Sequence, residues 1–369
     1  MQIFKTLATD TMLWLAAAAA IITSFLSTPQ VADINFHTLY SLLSMMILVQ
    51  ILEDIGLLQY FSSKFTAKAR DTRQLMWMLV ILAFGGAMLI TNDVTVLIMV
   101  PLFFRAGHQP HTNQIWGVVL ITAAANIGSA LTPFGNTHNL FLLSHYNLAL
   151  FDFFKISVPY SLLGLLLLLL ITWVLIKPRA LEVHVKHYNI QPRALIIALI
   201  VTIITFLAVF KIIPTLIAVA VAVTAAILLD KAILFRVDYA TILTFLCFFV
   251  AVGNISRFPS IARVLQNLVH TPQSTFLTAV GFSQFMSNVP ATILIAKFTQ
   301  NIPAIFLGTN TGGLGTTIAS MCNLLAYKQY IIHSQKRHLG AYFVHSLLVN
   351  LILLIIIGLL SWGLMLIFP

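Results

Sequence analysis

The sequence predicts an all-α polytopic membrane protein: an inverted-topology repeat with two re-entrant helical hairpins, two broken transmembrane helices and about nine full spans. Three observations carry that expectation. The 369 residues are 60% hydrophobic and 8% charged, with a mean hydropathy of +0.98, where soluble domains carry roughly 25% charged residues. Apolar runs recur along the whole chain, and two of them are interrupted midway by polar residues. The two halves also align without gaps around polar motifs.

Composition excludes several classes. The net charge of +10 does not mark a nucleic-acid binder, because the Lys and Arg lie in short connectors between spans and not on one face. Cys247 and Cys322 fall inside apolar segments, so no disulfide framework is implied. The eleven His show no HExxH or zinc-finger spacing. Without GxSxG or paired Asp on facing spans, an intramembrane protease is not supported, and no enzymatic role is expected.

Spanning takes about 20 apolar residues. Spans are predicted near 11–27, 36–52, 115–147, 155–176, 193–210, 214–230, 239–253, 303–330 and 341–367. The first follows a lone Lys5, the pattern of a cleaved signal peptide, but a polytopic chain needs a first anchor and this segment serves. Residues 74–105 and 273–300 are predicted hairpins, interrupted at Thr91-Asn92-Asp93 and at Ser287-Asn288-Val289-Pro290. A straight helix of about 32 residues would be roughly 48 Å long, well beyond a hydrocarbon core of about 30 Å. Two half-helices that meet inside the membrane and return fit better, provided the tip is buried in protein or lines a cavity. The amphipathic, basic stretches 53–70 and 254–269 read either as interfacial arms or as ends of the preceding spans. With the N-terminus inside and the C-terminus outside, fifteen Lys and Arg fall on the cytoplasmic side and five outside, as the positive-inside rule expects.

The repeat divides the chain into residues 1–190 and 191–369. Asn126-Ile127-Gly128-Ser129-Ala130-Leu131-Thr132-Pro133 matches Asn310-Thr311-Gly312-Gly313-Leu314-Gly315-Thr316-Thr317, and Asn139-Leu140 matches Asn323-Leu324. Five of fifteen positions are identical, against about one by chance. At a second offset Gly85 pairs with Gly281, Thr91 with Ser287 and Asn92 with Asn288. Five spans between the hairpins make them enter from opposite sides, an architecture recurrent in secondary transporters.

These motifs carry a family resemblance. TNDVTVLIMVP, ANIGSALTPFGNTHNL, SNVPAT and GGLGTTIASMCNLLA resemble the paired signatures of the ion transporter superfamily, which includes arsenite permeases, citrate transporters, sodium–dicarboxylate symporters and some sodium/proton antiporters. The similarity covers roughly residues 36 to 330 and looks closest to the short bacterial anion-permease branch. It implies an elevator-type carrier, usually a homodimer, with sodium or proton coupling. Thr137-His138-Asn139, Ser287-Asn288-Val289-Pro290 and Met321-Cys322-Asn323 depart from the family pattern, which weakens any assignment to dicarboxylate or citrate.

The candidate ligand- and ion-binding residues follow. They are Thr91, Asn92 and Asp93 at the first tip, and Ser287 and Asn288 at the second. The first break adds Asn126, Gly128, Ser129, Thr132, Pro133, Gly135, Asn136 and Asn139; the second adds Asn310, Gly312, Gly313, Gly315, Thr316, Thr317 and Asn323. Half-helix N-termini offer partial positive charge and free N–H groups, glycine lets backbone approach a ligand, and the amides and hydroxyls add neutral hydrogen bonds. No Lys or Arg lies in the tips or breaks, so sodium near Asn92, Asn288 and the adjacent breaks, or a proton, would neutralise the anion. Asp93 is read either as the coupling group or as the cap of a half-helix starting at Val94. His138 is read as a proton relay or as a plain hydrogen-bonding residue. Glu53 and Asp54 read as interfacial, and His108 and His111 as a solvated loop. The expected function is a secondary active transporter of a small anion in the bacterial inner membrane, with a sodium/proton antiporter of the same fold as the alternative.

Overall fold

The computed structural model describes residues 7, 8, 10–105, 111–180, 189–334 and 339–367; of 111–113 it describes the backbone alone. Among the expectations, His108, the side chain of His111, and Lys5, Lys186, Lys336 and Arg337 of the charge tally lie outside the described residues. All regular structure in the described residues is helical, save one isolated bridge between Asp71 and Ala180.

In chain order, α1 (Thr11–Ser24) and α2 (Phe36–Asp54) precede a short amphipathic α3 (Leu57–Thr66). Then come α4 (Thr72–Leu89), α5 (Asn92–Arg105), α6 (His111–Ser129), α7 (Thr137–His145) and the long α8 (Leu150–Leu175). The second half runs through α9 (Pro192–Val209), α10 (Thr215–Asp230), α11 (Ala232–Arg236), α12 (Tyr239–Ser256) and a short α13 (Pro259–Leu268). It ends with α14 (Pro272–Met286), α15 (Asn288–Ala296), α16 (Ile302–Gly312), α17 (Met321–His333) and α18 (Leu339–Ile367).

This is a polytopic membrane protein. Six helices are long and apolar enough to cross a bilayer: α2, α4, α8, α9, α12 and α18. Thr11–Ser24, Gln114–Ser129 and Thr215–Asp230 are shorter apolar helices. Five of the nine predicted spans are among these six helices; the sixth, α4, is one half of a predicted hairpin, and the predicted spans at α1 and α10 are short. The remaining two, 115–147 and 303–330, predicted as broken, split into α6–α7 and α16–α17 at residues 130–136 and 313–320. Neither piece of α16–α17 is long enough to cross alone. Helix α8 begins at Leu150, before the predicted 155, because Asp152 in its first turn is favourable at a helix N-terminus.

Hydroxyls inside the apolar helices bond the carbonyl one turn back, as with Thr122 to Val118 (2.7 Å), Thr172 to Leu168 (2.7 Å) and Thr309 to Ile305 (2.7 Å). Each such bond gives the hydroxyl a partner within its own helix. Helices α3 and α13 are separate elements and not tails of the preceding spans: Gly56, at φ +70°, ends α2, and Pro259 opens α13.

The two interrupted segments break where the polar residues stand. Helices α4 and α5 pack against each other and against α6, and meet at Ile90-Thr91; α14 and α15 pack against each other and against α16, and meet at Ser287. The joints are sharp enough to force Thr91 to φ +132° and Ser287 to φ +73°, conformations rare for residues with a side chain. Gly128 lets α6 approach α4 so closely that an added Cβ would sit 2.3 Å from the Phe84 carbonyl oxygen. Its counterpart Gly312 would meet Ser283 at 2.7 Å. Ser157 and Ser161, in the first half of α8, donate to the carbonyls of Leu131 (3.0 Å) and Ile127 (3.2 Å) at the first break. A 26-residue helix is about 39 Å long, so the break lies roughly a third of the way along it.

Gly128→Val should therefore lower stability by roughly 1–3 kcal/mol through overpacking. Gly85→Ala, where nothing lies within 4 Å of the added Cβ, should be neutral or gain up to about 1 kcal/mol. Melting in detergent, followed by loss of the monodisperse chromatographic peak, distinguishes the two; equal behaviour would contradict the packing described.

Candidate functional site

Both breaks and both tips are held by one amide network. Asn126 Nδ2 donates to Asn323 Oδ1 (2.8 Å), and Asn310 Nδ2 donates to Asn139 Oδ1 (2.9 Å). Asn126 and Asn310, like Asn139 and Asn323, are 184 positions apart, so the first Asn of each break bonds the last Asn of the other. The correspondence continues. Asn139 Nδ2 donates to the Ser129 carbonyl (3.3 Å) and Asn323 Nδ2 to the Gly313 carbonyl (3.0 Å). Thr132 Oγ1 donates to the Met88 carbonyl (2.6 Å) and Thr316 Oγ1 to the Gln284 carbonyl (3.0 Å). Each tip is hooked to its own break, the Asn92 N–H donating to Gly135 O (3.1 Å) and the Asn288 N–H to Ala319 O (2.9 Å). Two further bonds converge on Asn126 Oδ1, from Asn92 Nδ2 (3.0 Å) and Ser320 Oγ (3.1 Å).

Beside this network lies a cavity of about 430 Å³. One wall carries Thr91, Asn92, Asp93, Asn136, Ser287 and Asn288 from the predicted set. Asn126, Ser129, Asn139, Asn310 and Asn323 are buried behind that wall, their amides spent on each other and on the backbone. Thr132 and Thr316 tie breaks to hairpins, Pro133 is buried in the first break, and Thr317 lies beside Asn323 and Thr122, away from the main cavity. The five glycines do not line the cavity. Gly128, Gly135, Gly312, Gly313 and Gly315 each face a neighbouring segment less than 3 Å from where a Cβ would stand, so close packing, and not approach to a ligand, explains them.

Four helix N-termini end on the cavity, and their first residues, Asn92, Thr137, Asn288 and Met321, all line it. Helices α7, α15 and α17 have no side-chain cap at Asn136, Ser287 and Ser320. At α5, Thr91 Oγ1 accepts from Val94 N at a long 3.5 Å. Helices α1, α2, α4, α12 and α14 are capped by Asp10, Asn35, Asp71, Asp238 and Thr271, while α3, α8, α9, α10, α11, α13 and α16 also lack a side-chain cap, so the convergence on one cavity, and not the missing caps, sets these four starts apart. A helix start leaves four N–H groups without an intrahelical partner; the Asn92 and Asn288 N–H groups are spent on the breaks and the Asp93 N–H on Asn92 Oδ1, and the remainder can meet an anion.

Thr91, not Asp93, holds the cap position of α5; the capping role considered for Asp93 is thereby removed. Asp93 stands in the first turn, lines the cavity, and keeps a buried Oδ1 with no hydrogen-bond partner. Neither ring nitrogen of the fully buried His138 reaches a partner in hydrogen-bond geometry, Asn310 being the polar side chain it faces; the plain hydrogen-bonding role is not met. Asp54 pairs with Arg236, and Glu53 accepts from Gln50 Nε2 (3.3 Å) while lining the cavity.

The opposite wall was not legible in the motifs. It is built by Met46, Val49 and Gln50 of α2 and Thr241, Thr244 and Phe245 of α12, with Asp10, Arg236, Asp238 and Lys328 among the charged lining. Ser320 and Met321 were also missed, although Ser320 stands 184 positions after Asn136, a signal the repeat offered.

Residues 2–305 match the family model described as citrate transporter, CitMHS. The chain belongs to that family. It is similar to the "Inner membrane protein YbiR" of Escherichia coli, 27% identical over 302 residues that cover 80% of each chain. It is likewise 28% identical over 303 residues to the "Uncharacterized transporter MJ0456" of Methanocaldococcus jannaschii, covering 80% of this chain and 81% of that one. A shorter match, 28% over 146 residues, covers 39% of this chain and 34% of the "Uncharacterized transporter Rv2685" of Mycobacterium tuberculosis. The family and these relatives make this a membrane transporter and not an enzyme.

Removing one partner of a buried amide pair strands the other, at about 1–3 kcal/mol. Asn126→Ala and Asn323→Ala should each lower the melting temperature, and the double variant should fall short of the sum, because the second change removes an amide already stranded. Additive losses in a thermal-melt cycle would show that the two side chains do not bond.

Proposed function

We propose that this protein is a secondary active transporter that moves a small anion across a bacterial cytoplasmic membrane by an elevator-type mechanism, coupled to protons or sodium. The observation that carries the reading is the convergence of four helix N-termini, three of them uncapped, on one cavity. Such ends present partial positive charge and donors at tips and breaks that hold no Lys or Arg of their own, so the anion binds but can also leave.

The moving body consists of α4–α7 and α14–α17. The crossed asparagine bonds and the hooked tips make those elements one unit. Helices α2 and α12 form the wall across which that unit slides. In this reading α4–α5 and α14–α15 are re-entrant hairpins entering from opposite leaflets, and residues 1–190 and 191–369 are inverted repeats. The positive-inside assignment puts Arg236 and Lys328 on the cytoplasmic side, and both line the cavity, so this conformation is open to the inside. Two copies assemble as a homodimer through the static helices, as the family resemblance implies.

Asp93 is the coupling group. Asp93 lines the cavity and one of its carboxylate oxygens is buried without a partner, and burial of a bare carboxylate is costly unless a proton or a cation joins it. A sodium ion there would take its remaining oxygens from Asn92, Ser287 and Asn288. The same carboxylate favours the second reading, sodium/proton antiport.

Proteoliposomes separate the two. An imposed tenfold proton or sodium gradient stores about 1.4 kcal/mol and supports roughly tenfold anion accumulation at one-to-one coupling. Sodium-driven proton efflux with no anion present would instead establish the antiporter. Asp93→Asn should bring accumulation down to the passive level; retention of full gradient dependence by that variant would remove Asp93 from coupling.

A further inference from the structure

We propose that the base of α4, the last turn of α3 and the segment after α8 together form a binding site for the phosphate headgroup of an anionic phospholipid. Three chain segments are pinned there by backbone bonds. The Thr72 N–H donates to Arg179 O (3.0 Å), Thr72 Oγ1 donates to Lys177 O (2.7 Å), and Asp71 bridges to Ala180. Arg73 Nε donates to Ile176 O (2.7 Å) and its guanidinium lies 5.7 Å from the centre of the Trp173 ring. The register holds Arg70, Arg73, Lys177 and Arg179 together, with Lys64 and Lys68 on the neighbouring end of α3.

The charge of this cluster is uncompensated. Lys64, Lys68, Arg70, Lys177 and Arg179 are exposed, and among the described residues none of them pairs with a carboxylate. The one acid in the cluster, Asp71, is occupied, accepting from the Gln74 N–H at 2.9 Å. Three cations elsewhere are paired with carboxylates, Arg236 with Asp54 and Asp230, and Arg257 and Lys297 with Asp33, whereas here five unpaired ones are held side by side. Pinning five like charges beside one another without a counter-ion is unfavourable, and an anionic group removes that cost.

Depth and flanking side chains select a lipid. Helices α4 and α8 are span-length, and the cations sit just before the first residue of one and just after the last of the other. That is the level of a headgroup. Trp173 (51% exposed), Phe61 (47%) and Phe65 (52%) flank them, the exposed aromatic surroundings expected at a bilayer interface. A soluble phosphate would use the cations but not the aromatics.

The test uses the full-length protein, delipidated in a neutral detergent. Added phosphatidylglycerol should raise the melting temperature and remain bound in native mass spectra, whereas phosphatidylcholine should do neither. Each cation near a membrane surface contributes about fivefold in binding, so Lys68→Gln/Arg70→Gln should weaken retention about 25-fold. Should that variant lose its monodisperse peak, Lys177→Gln/Arg179→Gln gives the same reading. Wild type in 1 M salt, where the screening length is about 3 Å, gives a third without any substitution. Equal retention of the two lipids, unchanged retention in a folded double variant, or a shift produced as well by inorganic phosphate would each overturn the proposal.

Discussion

Two crossed amide pairs, Asn126 with Asn323 and Asn310 with Asn139, organise the centre of this protein. An asparagine side chain inside a bilayer-spanning fold is costly unless each of its groups finds a partner. Here each of the four gains one side-chain partner from the other half of the chain and finds others in its own, so neither broken span satisfies its polar atoms alone. The carbonyls of Ser129, Gly313 and Thr316, freed where the helices break, absorb the remaining amide protons. Broken backbone at membrane depth is tolerated where protein supplies the missing bonds, and these four side chains supply them.

From that arrangement the cavity follows. Because the breaks are satisfied from behind, the helix starts beyond them need not use their own cap residues, and Asn136 and Ser320 make no cap bond. The hairpin tips reach the same place by another route. Their one- and two-residue joints leave Thr91 and Ser287 in strained backbone, a feature that concentrates at functional sites. Strain at the tips and absent caps at the breaks meet at one cavity.

Much of this was legible in the residues. The polar interruptions marked where the helices stop, to within two or three residues, because Gly, Ser and Asn weaken a helix wherever they stand. The repeat offset tied Asn126 to Asn310 and Asn139 to Asn323, and the structure shows each pair in equivalent bonds. The glycines misled: their spacing is real, but Gly128 and Gly312 serve helix contact, which a single chain read in isolation cannot distinguish from ligand approach. The wall from α2 and α12 was invisible for a different reason. Gln50, Thr241 and Thr244 sit among apolar neighbours with no repeated motif, and only tertiary packing turns them toward the cavity. The capping residue of α5 was misplaced by two positions, since Thr and Asp are both good caps and only the backbone turn at Thr91 decides between them.

The reciprocity of the asparagine bonds also bears on biogenesis. When the first half of the chain leaves the insertion machinery, Asn126 and Asn139 have only Asn92 and the Ser129 carbonyl beside them, for their crossed mates lie 197 and 171 residues further along. Full pairing of both amides therefore waits on the later segments, which makes closure of the core a late step in assembly.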